Sequence, residues 1–133
     1  MRFRCTAAAG SLATRTRTQE QLSWWVKEQQ IPRVKIKIGE SWGSDERRDL
    51  ARVQLAREVI GPDAELYVDA NGGYTTGQAV RIAAELTACG VTWFEEPVSS
   101  QDLAGLAAIR RQIRRRSFPG ASASAAACPW ARC

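Results

Sequence analysis

Residues 31–39 read IPRVKIKIG, and this run decides the fold. Val34, Ile36 and Ile38 alternate with Lys35 and Lys37. Successive side chains of an extended chain point to opposite faces, so the alternation builds a strand with one apolar face and one cationic face. Helix signals flank it. Upstream, Thr18 and Gln21 have the spacing of a capping box, and Leu22, Trp25, Val26 and Gln29 then share a helical face. Downstream, Ser44 can cap a helix that carries Asp45 and Glu46 near its positive end, with Leu50, Val53 and Ile60 as apolar positions. Gly61 and Pro62 stop it.

The same unit then repeats. Residues 66–70 form a second short strand, Gly72 and Gly73 open a turn, and Thr76 can cap a helix through Val80, Ile82, Ala83 and Leu86 that ends at Gly90. Residues 91–95 form a third strand, closed by Pro97, and Ser100 with Asp102 starts a helix through Leu103, Leu106 and Ile109. Strands alternating with helices predict an α/β fold with a parallel sheet covered by helices.

Charge divides the chain of 133 residues, whose net charge is +5, into three parts. Residues 1–18 hold four Arg and no acid, residues 110–133 hold six Arg and no acid, and residues 19–109 hold nine Lys/Arg against fourteen Asp/Glu, so the centre is acidic at 9 − 14 = −5. The positive charge therefore sits at the ends and does not make one surface shaped for phosphate, so no nucleic-acid partner is expected. The organisation expected is an irregular segment at 1–17, a folded unit at 18–111, and a disordered tail at 112–133 whose Arg, Ser, Pro, Gly and Ala lack apolar periodicity. Such ends have the composition of GC-rich DNA read out of frame, and a frameshift or misassigned gene boundary is expected there. The chain holds no His and no Cys-x-x-Cys, which leaves little for a zinc site, and Cys89 reads as a reduced thiol. No run reaches the roughly 20 apolar residues of a membrane span, and residues 1–10 lack a secretory core. The cytoplasm is the expected location.

Polar residues stand at the carboxyl ends of all three strands: Lys35 and Lys37, Asp69 and Asn71, Glu95 and Glu96. In parallel barrels that edge carries the active site. Two ammonium groups close together and partly dehydrated are each pushed toward the neutral form, and a neutral lysine is a competent base. Asp69 and Glu95, on strands about 4.8 Å apart, can reach one hard cation such as Mg²⁺, which would hold a substrate carboxylate and stabilise the enediolate left by loss of the α-proton. Each pair also has a blander reading. Alternating lysines often mark a solvated strand face, Asp69-Ala70-Asn71-Gly72 has turn chemistry, and Glu95-Glu96-Pro97 suits a solvated strand end. The tryptophans read as packing residues, although Trp42 is placed to cover a site.

The runs Val34-Lys35-Ile36-Lys37-Ile38-Gly39, Val68-Asp69-Ala70-Asn71-Gly72-Gly73-Tyr74 and Trp93-Phe94-Glu95-Glu96-Pro97 resemble the second, third and fourth barrel strands of the enolase superfamily, of the mandelate racemase and muconate lactonizing type. The likeness covers residues 10–111, and the three runs in this order reverse the bland readings. It implies a partial (β/α)8 TIM-type barrel of three to four βα units. It also implies an Mg²⁺-dependent racemase or dehydratase that abstracts the α-proton of a hydroxy acid or acid sugar. By the same resemblance Lys37 is the base and Lys35 its tuning neighbour. Asp69 and Glu95 are metal ligands, Asn71 supports metal and substrate, and Glu96 lies in the layer behind. Full-length relatives are expected to be homo-oligomers. The family's third acidic ligand, its later-strand catalytic groups and its covering amino-terminal domain have no counterpart here. An inactive remnant is therefore the alternative expectation.

Overall fold

The alternation at 33–37 is realised as strand β2 (Arg33–Lys37), in which Val34 and Ile36 are buried while Arg33, Lys35 and Lys37 stay half-exposed on the opposite face. In the computed structural model, residues 7–9 and 15–116 are described, with side chains at 16–113. The elements in chain order are β1 (Ala7–Ala9), α1 (Arg15–Ser23), β2, a single turn α2 (Glu40–Gly43), α3 (Glu46–Ile60), β3 (Glu65–Asp69), α4 (Thr76–Ala88), β4 (Val91–Glu95) and α5 (Leu103–Arg116). All strand pairs are parallel, in the order β1-β2-β3-β4. Four successive parallel strands with helical crossovers form part of an eight-stranded barrel. Val34, Ile36, Leu66, Val68 and Phe94 meet Val53, Ala56, Ile82 and Leu86 in one core.

Several local expectations need correction. Ala7–Ala9 is a strand inside the segment read as irregular, paired with Val34, Lys35 and Ile36. Backbone hydrogen bonding to the open edge of β2 orders it, where side-chain propensity does not. Helix α1 begins at Arg15, so Thr18 is a buried helix residue and not its cap. A wider turn at Trp24–Glu28 follows, with Gln29 N–H donating to the Trp24 carbonyl. Asp45 rather than Ser44 caps α3, through Arg48 N at 2.9 Å. Thr75 rather than Thr76 caps α4, in a capping box with Gln78. Helix α5 runs to Arg116, beyond the boundary expected at 111, because arginine is a good helix former and Ile113 continues the stripe of Leu106 and Ile109. Residues 117–133 lie outside the described residues, as does most of the expected frameshifted tail. No helix among the described residues is long and apolar enough to cross a membrane.

At the opposite edge from the polar strand ends, Arg57 acts as a clamp. Its guanidinium donates to the carbonyls of Cys89 (3.0 Å), Gly61 (2.8 Å), Ala64 (2.7 Å) and Gly90 (2.8 Å). One side chain thus satisfies the end of α3, the approach to β3 and the turn into β4. Lysine offers a point charge without the planar fork, so Arg57→Lys is expected to cost about 2 kcal/mol and lower the melting temperature by about 10 °C. A loss below about 0.5 kcal/mol in urea unfolding would show that the clamp is incidental. Cys89 is a free thiol beside this clamp; burial, aided by Glu85, raises its pKa and disfavours the reactive thiolate.

Candidate active site

Register brings the polar strand ends into one row. Lys37 lies opposite Asp69 across β2 and β3, and Asp69 lies opposite Glu95 across β3 and β4. All three point away from the helix-covered face, as period-2 alternation requires. Lys35, one row below, reaches up to the same carboxylates. Its Nζ donates to Glu95 Oε2 at 2.7 Å and lies 3.7 Å from Asp69 Oδ2. Lys37 Nζ lies 3.6 Å from that same Asp69 oxygen and donates to Asn71 Oδ1 at 2.7 Å. Asn71 holds a left-handed φ of 47°, and its N–H donates to Asp69 Oδ1 at 2.9 Å, so the turn after β3 aims both groups. Five of the six expected site residues therefore converge on one cluster.

Glu96 does not join it. Its φ of 43° turns the chain, its side chain is exposed, and it contributes only its carbonyl, which accepts from Gly72 N at 2.8 Å. Adjacent strand residues face opposite ways, so Glu96 could share the site of Glu95 only through a backbone reversal. A second correction concerns Lys35. The hydrogen bond to Glu95 raises its pKa, outweighing burial, and both carboxylates add to the shift. Lys35 is thus held as an ammonium and not pushed toward the neutral form.

Asp69 and Glu95, paired across adjacent strands, offer hard oxygen donors 3.7 and 2.7 Å from one ammonium, the donor type that a small hard cation takes. That donor chemistry fits Mg²⁺ as two ligands of a larger set. Among the described residues no three His, Cys, Asp or Glu gather into a metal-holding group.

One buried group escaped the sequence reading. Asp49, 1% exposed, accepts from Gly39 N at 3.0 Å and from Tyr74 Oη at 2.6 Å, tying the turn after β2 to the turn after β3. Burial, reinforced by this bond to Asp49, drives the Tyr74 pKa far upward and keeps the hydroxyl protonated. The signal was available. Asp49 stands on the α3 stripe of Val53, Ala56 and Ile60, where a carboxylate needs partners.

Residues 17–119 match the family described as Enolase C-terminal domain-like. The chain belongs to that family. D-galactarolactone cycloisomerase of Agrobacterium fabrum is 43% identical over 76 residues, covering 57% of this chain and 19% of the relative. Arabinonate dehydratase of Saccharolobus solfataricus is 36% identical over 70 residues, covering 53% of this chain and 18% of that protein. An enolase from Bradyrhizobium, solved with magnesium and mandelic acid, superposes with a TM-score of 0.71 at 30% identity, covering 80% of this chain and 28% of that one. This enolase C-terminal domain-like chain thus spans about a fifth of the length of these curated relatives. Its neighbours are enzymes of the mandelate racemase and muconate lactonizing type, and the partial-barrel fold is shared with them.

Proposed function

We propose that the chain carries the proton-abstracting part of an Mg²⁺-dependent racemase or dehydratase site. The substrate is a small hydroxy acid or acid-sugar carboxylate met in the cytoplasm. The observation that carries this reading is the convergence of Lys37, Lys35, Asp69 and Glu95 at the carboxyl edge of parallel strands. Asp69 and Glu95 would hold the cation. Bound there, it would supply charge to grip the substrate carboxylate and offset the negative charge that builds as the α-proton leaves.

The chain's own residues divide the remaining work. Lys37 Nζ is the group that takes the proton, because its hydrogen-bond acceptor is the neutral amide oxygen of Asn71 and its nearest carboxylate, Asp69, stands off at 3.6 Å, whereas Lys35 donates directly to Glu95 at 2.7 Å. Lys35, held as an ammonium by its hydrogen bond to Glu95, places a fixed positive charge beside the base. Asn71 orients the base, and Asp69, mostly buried, anchors the row. A second reading, a remnant without turnover, is favoured by the two-carboxylate donor set among the described residues.

Metal response tests the site directly. Lys35 competes for Glu95, so affinity in the millimolar range is expected. At 10 mM MgCl₂ a Kd of about 1 mM would add about 1.4 kcal/mol and raise the melting temperature by about 5 °C or more. Asp69→Asn is expected to remove that shift. An equal shift in Asp69→Asn, or none in the parent chain, would remove the cation from this site.

A further inference from the structure

The turn that follows Lys37 is built against backbone preference. Ser41 (φ 51°, ψ 45°) and Trp42 (φ 56°, ψ 39°) both adopt the left-handed conformation, which crowds Cβ against the carbonyl and which two successive non-glycine residues rarely share. Trp42 gains no packing in return, since 85% of it is exposed. Strain of this kind persists only where the surroundings over-determine it, and here they do. Gly39 N–H is held by the buried Asp49 carboxylate, Gly43 N–H donates to the Gly39 carbonyl at 3.2 Å, and Gln78 Nε2 donates to the Gly43 carbonyl at 3.0 Å. Gly43 itself is pressed against Tyr74, whose ring leaves no room for a Cβ. The fold thus carries a large aromatic ring into solvent on a fixed backbone turn, at a cost glycine would avoid.

That ring borders a hollow of about 230 Å³ lined by Lys37, Gly39, Trp42, Ala70, Asn71 and Gly73. At about 30 Å³ per water this is the volume of roughly seven waters, enough for a short polyol chain. Lys37 and Asn71 belong to both the hollow and the reactive row, so a substrate with its α-carbon at Lys37 Nζ extends naturally into it.

We infer that Trp42 walls a subsite for the hydroxylated carbon chain of an acid sugar beyond its α-carbon, with C–H faces against the indole and hydroxyls toward Asn71 and the exposed backbone of the turn. Aromatic walls with a few convergent polar groups are the usual composition of small-molecule sites. The inference deepens the proton-abstraction reading and rests on it.

The test compares two acids on the full chain in 10 mM MgCl₂ by saturation-transfer NMR titration. D-gluconate has the long polyol chain; glycolate keeps the carboxylate and hydroxyl but ends at the α-carbon. Trp42→Ala and Trp42→Gly are each expected to weaken gluconate about fivefold, Trp42→Phe to stay within about twofold of the parent, and glycolate to be unaffected throughout. Trp42→Gly also releases the left-handed strain, so its fold is retained and its loss of binding is not an unfolding effect. Unchanged gluconate affinity in the Ala and Gly variants overturns the subsite while leaving the proton-abstraction reading intact. Failure of the parent chain to bind either acid overturns both.

Discussion

Lys37→Ala is expected to abolish exchange of the α-proton of D-gluconate with D₂O in the presence of MgCl₂, lowering the rate by at least about 10²-fold. Removing a positioned general base typically forfeits a factor of about 10² to 10⁴. The choice of Lys37 over Lys35 follows from their partners. Lys35 Nζ donates to a carboxylate at 2.7 Å and its pKa is raised, so surrendering its proton would break that ion pair with Glu95. Lys37 Nζ donates to the Asn71 amide oxygen and stands 3.6 Å from Asp69, a looser hold. Added ethylamine should restore part of the exchange in Lys37→Ala by diffusing into the space left by the side chain. Exchange in Lys37→Ala at the parent rate would dismiss Lys37 as the base. No exchange in the parent chain, together with Mg²⁺ stabilisation lost in Asp69→Asn, would select the remnant reading instead.

What the sequence made legible and what it hid divide along physical lines. Lys35, Lys37, Asp69 and Glu95 were readable because a half-buried strand has a period of two, and a parallel sheet gathers its carboxyl ends at one edge. Strand β2 was readable for the same reason, since Val34 and Ile36 alternate with Arg33, Lys35 and Lys37, while β3 and β4 were bounded by the Gly72-Gly73 turn and by Pro97. Ala7–Ala9 was not, because its order comes from the edge of β2 and three alanines carry no strand signal. The protonation of Lys35 was hidden because its governing partner, Glu95, lies 60 residues away in sequence. Glu96 was placed behind the metal ligands by resemblance, and the left-handed backbone at that position has no marker in a non-glycine residue. Caps slipped by single residues at Asp45 and Thr75, where neighbouring Ser44 and Thr76 also carry a side-chain oxygen able to accept the capping bond.

Gly73→Ala is expected to be the most destabilising single methyl addition in the unit, at about 3 kcal/mol. A Cβ there would lie 2.4 Å from the Gly39 carbonyl oxygen, 3.0 Å from the Ala70 oxygen and 3.2 Å from the Gly39 carbonyl carbon. All three are backbone atoms, so no rotamer change relieves the clash, and the turns after β2 and β3 must move apart. Those turns carry Trp42 on one side and Asn71 on the other, and Asp49 bridges them through Gly39 N and Tyr74 Oη. Separating them also strains the Lys37–Asn71 hydrogen bond. Gly61→Ala is the control: its φ of +75° disfavours a side chain, yet no atom lies within 4 Å of the added Cβ. At φ +75° and ψ −176° that residue has an extended conformation nearly reserved for glycine, so the variant should lose only the backbone term, about 2 kcal/mol. Urea unfolding of the two variants decides the matter. If Gly61→Ala proved as costly as Gly73→Ala, close contact between the two turns would not be what holds the mouth of the site together.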